Sequence, residues 1–167
     1  MRKGLLLVSR DNRLKEQIKE ALRTAGVRPF CVEIARQGQE CLARLKGRKG
    51  CFIVIDDDLP DMTGIDLLHA LRANDREALI VYVATQHNLE LERQVRQLGV
   101  LYYTAKPPEH SELVRIFGVA LLRRENPWAV SCPPNPGPAK TGKKQRRPVH
   151  PNQEKKGETN YGLWHLL

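Results

Sequence analysis

Short apolar runs alternate with amphipathic stretches over the first 125 residues of the chain. Leu5-Leu6-Leu7-Val8 is continuous and without polar alternation, which suits a strand covered on both faces in a parallel sheet. After the polar turn Ser9-Arg10-Asp11-Asn12, Leu14, Ile18, Leu22 and Ala25 recur at helical spacing, and Gly26 stands where a helix stop is expected. The alternation then repeats. Phe30 to Ile34 is rich in β-formers, and Cys41, Leu42 and Leu45 line a short helix broken by Gly47 and Gly50. Phe52-Ile53-Val54-Ile55 is another buried-strand pattern, followed by an acidic loop, Pro60, Gly64 and a helix with Ile65, Leu68 and Leu71 on one stripe. Ile80 to Val83 predicts a fourth strand, and Leu91, Val95 and Leu98 a fourth helix ended by Gly99. Leu101 to Thr104 predicts a fifth strand that Lys106-Pro107-Pro108 stops. Leu113, Ile116, Phe117, Ala120 and Leu121 form the face of a last helix, with Arg123 and Arg124 at its negative end.

Five strand-helix units joined by connections this short require right-handed crossovers, and so a doubly wound α/β fold. The expected sheet is five-stranded, parallel and flavodoxin-like, in order 2-1-3-4-5. Beyond residue 125 the pattern disappears. Residues 126–167 carry seven prolines and seven Lys and Arg against two acids, which predicts a disordered basic tail after a domain at 1–125. Only Tyr161 to Leu167 is apolar enough to dock on another surface.

The net charge is +9, and much of the excess sits in that tail. Basic character of this kind attracts phosphates, so a nucleic acid is a partner to weigh, but no aromatics interleave with Lys143-Lys144-Gln145-Arg146-Arg147 to stack bases. Cys31, Cys41, Cys51 and Cys132 form no C-x-x-C pair and no metal-ligand spacing with the histidines, so reduced thiols are expected. The first apolar run is too short for a signal peptide, and no stretch is long enough to span a membrane. A cytoplasmic protein is the expectation.

In an open parallel sheet the useful crevice lies beyond the carboxyl ends of the strands. Those ends are Ser9-Arg10-Asp11, Asp56-Asp57-Asp58, Ala84-Thr85 and Lys106. The run from Ile53 to Leu68, with Asp56-Asp57-Asp58-Leu59-Pro60 and Gly64, resembles the phosphoacceptor strand, loop and third helix of bacterial response-regulator (CheY-like) receiver domains. Gly99 to Pro107 similarly resembles that family's fifth strand with its lysine and following proline, and the resemblance covers residues 3 to about 124. It implies that Asp56, four residues before Pro60, accepts a phosphoryl group from a histidine kinase or phosphotransfer protein. Lys106 would pair with the product, and Pro107 would follow a cis peptide. Tyr103, three residues before Lys106, falls where the family often has a switch aromatic. Tyr102 and Tyr103 are adjacent and face opposite sides of a strand.

The resemblance also implies Mg2+, held by the acceptor, by an acidic pair after the first strand and by a loop carbonyl. Here Ser9 and Arg10 occupy the positions of the acidic pair. The remaining candidate ligands are Asp56, Asp11 one residue further on, and the Asp58 backbone. The family's hydroxyl at the end of the fourth strand is replaced by Ala84, with Thr85 next to it as a phosphate-facing candidate. A guanidinium about 4 Å from Asp56 would be attracted by roughly 4 kcal/mol before desolvation, enough to compete with a weakly held Mg2+. Arg10 is therefore expected to ion-pair with Asp56 and Asp57 and to substitute for the metal.

Three functional expectations follow. The chain is a stand-alone receiver in a phosphorelay, acting on a downstream protein target through its fourth and fifth helices and fifth strand. Alternatively it is a phosphorylation-independent pseudo-receiver, or an adaptor whose tail binds nucleic acid or an anionic surface. An enzyme of small molecules is not expected, because there is no glycine-rich phosphate loop, no nucleophile elbow and no histidine near a strand end.

Overall fold

The computed structural model describes residues 3–27 and 30–122. The expected tail, Cys132, Arg123 and Arg124, and the apolar segment at 161–167 lie outside the described residues. The apolar runs become β1 (Lys3–Val8), β2 (Phe30–Ala35), β3 (Phe52–Asp56), β4 (Leu79–Ala84) and β5 (Tyr102–Ala105). The amphipathic stretches become α1 (Asn12–Thr24), α2 (Gly38–Leu45), α3 (Gly64–Asn74), α4 (Leu89–Gln97) and α5 (His110–Leu122). All strand pairs are parallel and the order is β2-β1-β3-β4-β5, as the pattern predicts.

Alternation along each strand divides the core between two faces. Leu5, Leu7, Phe52, Val54, Val81 and Val83 cluster with Leu14, Ile18 and Leu22 of α1 and with Leu113, Ile116 and Phe117 of α5. Leu6, Val8, Ile53, Ile55, Tyr82 and Tyr103 cluster on the opposite side with Cys41 of α2, Leu67, Leu68 and Leu71 of α3 and Val95 of α4. Every residue of β3 is buried, which is why its sequence shows no alternation. Phe52 and Phe117 meet edge to face at 5.8 Å between ring centroids.

Side chains that accept backbone N–H bonds start most of the described helices. Asp11 Oδ1 accepts from the amides of Arg13 and Leu14, and Asn88 Oδ1 from those of Glu90 and Leu91. Thr63 Oγ1 accepts from the Asp66 amide and donates to its carboxylate. Gln37 makes no such bond at α2. Instead Asp61, from the β3–α3 loop, accepts the Gly38 and Gln39 amides at 2.9 Å each. Gly26 ends α1 with φ +72°, a conformation that side chains with a Cβ rarely adopt.

The α3 stripe is corrected in detail. The buried positions are Gly64, Leu67, Leu68 and Leu71, one helical face, and Ile65 sits half-buried on its flank. Leu101 lies before β5 and is 45% exposed, so the fifth strand starts at Tyr102. Cys41 and Cys51 are free and buried. Burial pushes their thiols up, to about 12 and about 11, with neighbouring Cys51 adding to the first and Asp75 to the second. Cys31 is disulfide-bonded, which corrects the reduced-thiol expectation at that position.

One side chain fastens the far end of the domain. Arg72 of α3 donates to the carbonyls of Leu98 and Gly99 after α4 and to those of Asp75, Arg76 and Ala78 before β4, at 2.7–3.4 Å. Arg72→Met keeps much of the side-chain volume and removes all five bonds. The expected loss is about 2 kcal/mol, since bonds to charged donors contribute ~1.5–3 kcal/mol and part is recovered by water. A urea midpoint unchanged from the parent chain would contradict this role.

Candidate functional site

Register places the candidate residues on one rim. Val8 pairs with Ile55, so Ser9 stands abreast of Asp56, and the Ser9 amide extends the ladder to the Ala35 carbonyl. Asp56 pairs with Val83, and Ala84 with Ala105, so Lys106 emerges one residue beyond the last pair of the sheet. The Lys106 amide donates to the Ala84 carbonyl at 2.9 Å, and the Lys106–Pro107 peptide is cis.

Asp56 is 1% exposed, and among the described residues its carboxylate is served by three donors. Ser9 Oγ donates to Oδ2 at 2.7 Å, Lys106 Nζ donates to the same oxygen at 2.8 Å, and the Asp58 amide donates to Oδ1 at 3.2 Å. A carboxylate so removed from water is tolerated because it is paired and hydrogen-bonded. The Ser9 hydroxyl in turn accepts the Asp11 amide at 2.9 Å, which orients it toward Asp56.

Asp11 joins the crevice from α1. Its Oδ2 lies 3.6 Å from Lys106 Nζ while the carboxylate caps the helix. Burial acts to raise the Asp11 carboxyl, but the Arg13 and Leu14 amides and then the Lys106 ammonium outweigh it and hold it below the ordinary value.

Arg10 departs from expectation. Its guanidinium meets Asp58 Oδ1 at 3.6 Å rather than Asp56 or Asp57, and the two side chains are 51% and 65% exposed. The physical reason is competition: Ser9 and Lys106 already occupy the buried carboxylate, and a long cation avoids desolvation by staying at the rim. A pair this exposed contributes ~0–1 kcal/mol, not the larger attraction expected for a buried contact. Thr85 is exposed and takes no part in the bonds around Asp56. Tyr103 is buried on the α4 side, while half-buried Tyr102 hydrogen-bonds Glu112.

Two contributions were not assigned from sequence. Ser9 is a direct donor to Asp56, not merely a missing acid. Tyr82 donates to Asp57 Oδ1 at 2.5 Å, and burial, then that bond, drives its phenol far above the ordinary tyrosine range. The signal for Tyr82 was its position: Asp57 continues the face of Ile55, and Ile55 pairs with Tyr82.

Residues 5–117 match the response regulator receiver domain family. The chain belongs to that family. The receiver is 30% identical over 134 residues to the acid tolerance regulatory protein ActR of Rhizobium meliloti, covering 80% of this chain and 65% of that protein. It is 27% identical over 126 residues to the DNA-binding response regulator MtrA of Mycolicibacterium smegmatis, covering 75% and 54%. The chain thus spans less than two thirds of the length of these curated relatives. Among solved structures, a CheY-like receiver from Methanospirillum hungatei superposes with TM-score 0.62 at 26% identity, covering 72% of this chain and 94% of that one. A response regulator from Chloroflexus aurantiacus superposes with TM-score 0.61 at 27% identity, covering 74% and all of that chain.

Receiver domains generally bind Mg2+ in an acidic pocket, and the donors here do not fit one. Ser9 spends its proton on Asp56, Asp11 is committed to the α1 amides beside an ammonium, and the Asp58 carboxylate faces Arg10. Among the described residues no three His, Cys, Asp or Glu side chains are grouped to hold a metal ion. No described helix is long and apolar enough to cross a membrane.

The depressed Asp11 carboxyl sets a pH dependence. Its folded value lies below the unfolded value near 3.8, so its contribution is fully present above 3.8 and is lost as pH falls through the folded value. Asp11→Asn retains a capping oxygen but cannot titrate. Unfolding free energy measured against pH should therefore decline less steeply on the acid side in Asp11→Asn than in the parent. Parallel acid limbs would refute the assignment.

Proposed function

We propose that this chain is a receiver module whose acceptor crevice is satisfied internally, and that it signals through protein contacts without metal-dependent phosphorylation of Asp56. The observation that carries this reading is the joint hold of Ser9 Oγ and Lys106 Nζ on Asp56 Oδ2. In a receiver that accepts a phosphoryl group, a divalent cation offsets the repulsion between the attacking carboxylate and the incoming phosphoryl oxygens. Here the positions that would hold that cation supply a hydroxyl and a rim guanidinium. The resting arrangement therefore already has the neutralising contact that phosphorylation would otherwise have to organise. The output surface is the face of α4, β5 and α5, and the partner is a downstream signalling protein.

A second reading is supported by the lysine itself. Lys106 lies where it would stabilise an acyl phosphate, and Asp56 Oδ1 accepts only the Asp58 amide among the described residues. In that reading a histidine kinase or phosphotransfer protein is the donor. An Asp56 oxygen bonds to phosphorus as the phosphorus–nitrogen bond breaks, and the donor imidazole keeps the electron pair. Thr85 and the rim guanidinium of Arg10 would be the remaining contacts for the phosphoryl oxygens.

The two readings separate on treating the full chain with acetyl phosphate, with and without Mg2+, followed by intact-mass measurement. The expected result is no stoichiometric adduct in the parent chain. A variant combining Ser9→Asp with Arg10→Asp should gain an adduct that requires Mg2+. Stoichiometric, Mg2+-dependent labelling of the parent that disappears in Asp56→Asn would establish the second reading instead.

A further inference from the structure

The loop that follows β3 makes a second, partly buried polar contact, separate from the bonds around Asp56. Asp57, the neighbour of Asp56, lies on the face of the sheet that carries Ile55 and Tyr82. The Tyr82 side chain is 0% exposed and donates its hydroxyl to Asp57 Oδ1. Tyr82 and Tyr103 are register partners on adjacent strands, and their rings stack at 6.0 Å with 10° between planes. The Tyr103 hydroxyl accepts the Asn88 backbone N–H at 3.5 Å, and Asn88 is the residue that caps α4.

The space for this contact is tightly bounded. A Cβ on Gly64 would stand 2.6 Å from the Tyr82 hydroxyl oxygen and 2.9 Å from Asp57 Cα, so glycine at the start of α3 leaves the phenol its seat. Any side chain at position 64 would intrude on the hydroxyl, and the ring itself lies against Tyr103. A buried side chain held between a hydrogen-bond acceptor and a packed ring has few alternative positions.

We propose that Tyr82 is a positioning residue that couples the β3–α3 acid loop to Tyr103 at the N-terminal end of α4. Its hydroxyl follows the Asp57 carboxylate, and its ring sets the position of the Tyr103 ring. The inference relies on the signalling reading only for the purpose of the coupling, because the coupling itself needs neither phosphorylation nor metal. Spatial continuity is not coupling, and a double-mutant cycle measures the difference. If Tyr82 merely filled the core, the loss of its hydrogen-bond acceptor would not reach Tyr103.

The test uses the full chain labelled with 3-fluorotyrosine in a Tyr102→Phe, Tyr161→Phe background, which leaves fluorine signals from Tyr82 and Tyr103. Tyr82→Phe in that background assigns the Tyr103 signal. Asp57→Ala is expected to shift the Tyr103 resonance, whereas Asp57→Asn, which keeps an acceptor oxygen, should restore it toward the parent position. In Tyr82→Phe the response to Asp57→Ala should vanish. An equal Asp57→Ala shift in both backgrounds, or none in either, overturns the proposal. If Tyr82→Phe does not fold, coincident Tyr103 resonances in Asp57→Ala and Asp57→Asn overturn it equally. No phosphodonor or metal is added, so failure here is distinct from failure of the acetyl phosphate experiment.

Discussion

A carboxylate with almost no exposure to water stands at the end of the most buried strand, and the contact that makes this tolerable is the Lys106 ammonium on Asp56 Oδ2. Removing one partner of such a pair costs ~3–5 kcal/mol, because the other is left charged in a poor solvent for charge. The two residues are 50 apart in the chain and two strands apart in the sheet. Their meeting thus requires β3, β4 and β5 to be in correct register. A slip of one residue in either pairing would turn side chains to the other face and separate the charges.

Around that pair the crevice is organised by hydrogen bonds rather than by gathered anions. Ser9 shares the oxygen with Lys106, the Ser9 hydroxyl is oriented by the Asp11 amide, and Asp11 both starts α1 and faces the ammonium. These links make α1, β3 and the end of β5 parts of one polar network in an otherwise apolar setting. Arg10 stays outside it. The placement of a guanidinium is decided less by its attraction to a carboxylate than by whether water must be given up, and at the rim it is not.

The apolar side of the sheet is not inert either. Tyr82 occupies a core position between Ile55 and Tyr103 in the register, yet its hydroxyl extends to the acid loop. Tyrosine suits this place because its ring packs as a hydrophobe while its tip remains a donor. Arg72 does comparable work at the opposite end of the strands, where its guanidinium serves carbonyls of the segments before β4 and after α4.

Strand and helix order, the two-faced core and the family's acid loop were legible in the residues themselves. Buried parallel strands show as unbroken apolar runs, and helices as stripes, because burial imposes those periods locally. The choice of Asp56 before Pro60 and of Lys106 before Pro107 came instead from the resemblance to receiver domains. Which cation meets which anion was not local. Ser9, Arg10, Asp11, Asp56 and Lys106 could be named from strand ends. Their pairing depended on a competition for one buried oxygen, which Ser9 and Lys106 hold while Arg10 remains in water. Tyr82 escaped notice for a related reason: its spacing fits plain core, and only the register of β3 against β4 brings its hydroxyl to Asp57. Periodicity is a property of a segment, whereas desolvation and hydrogen-bond competition are properties of the assembled sheet.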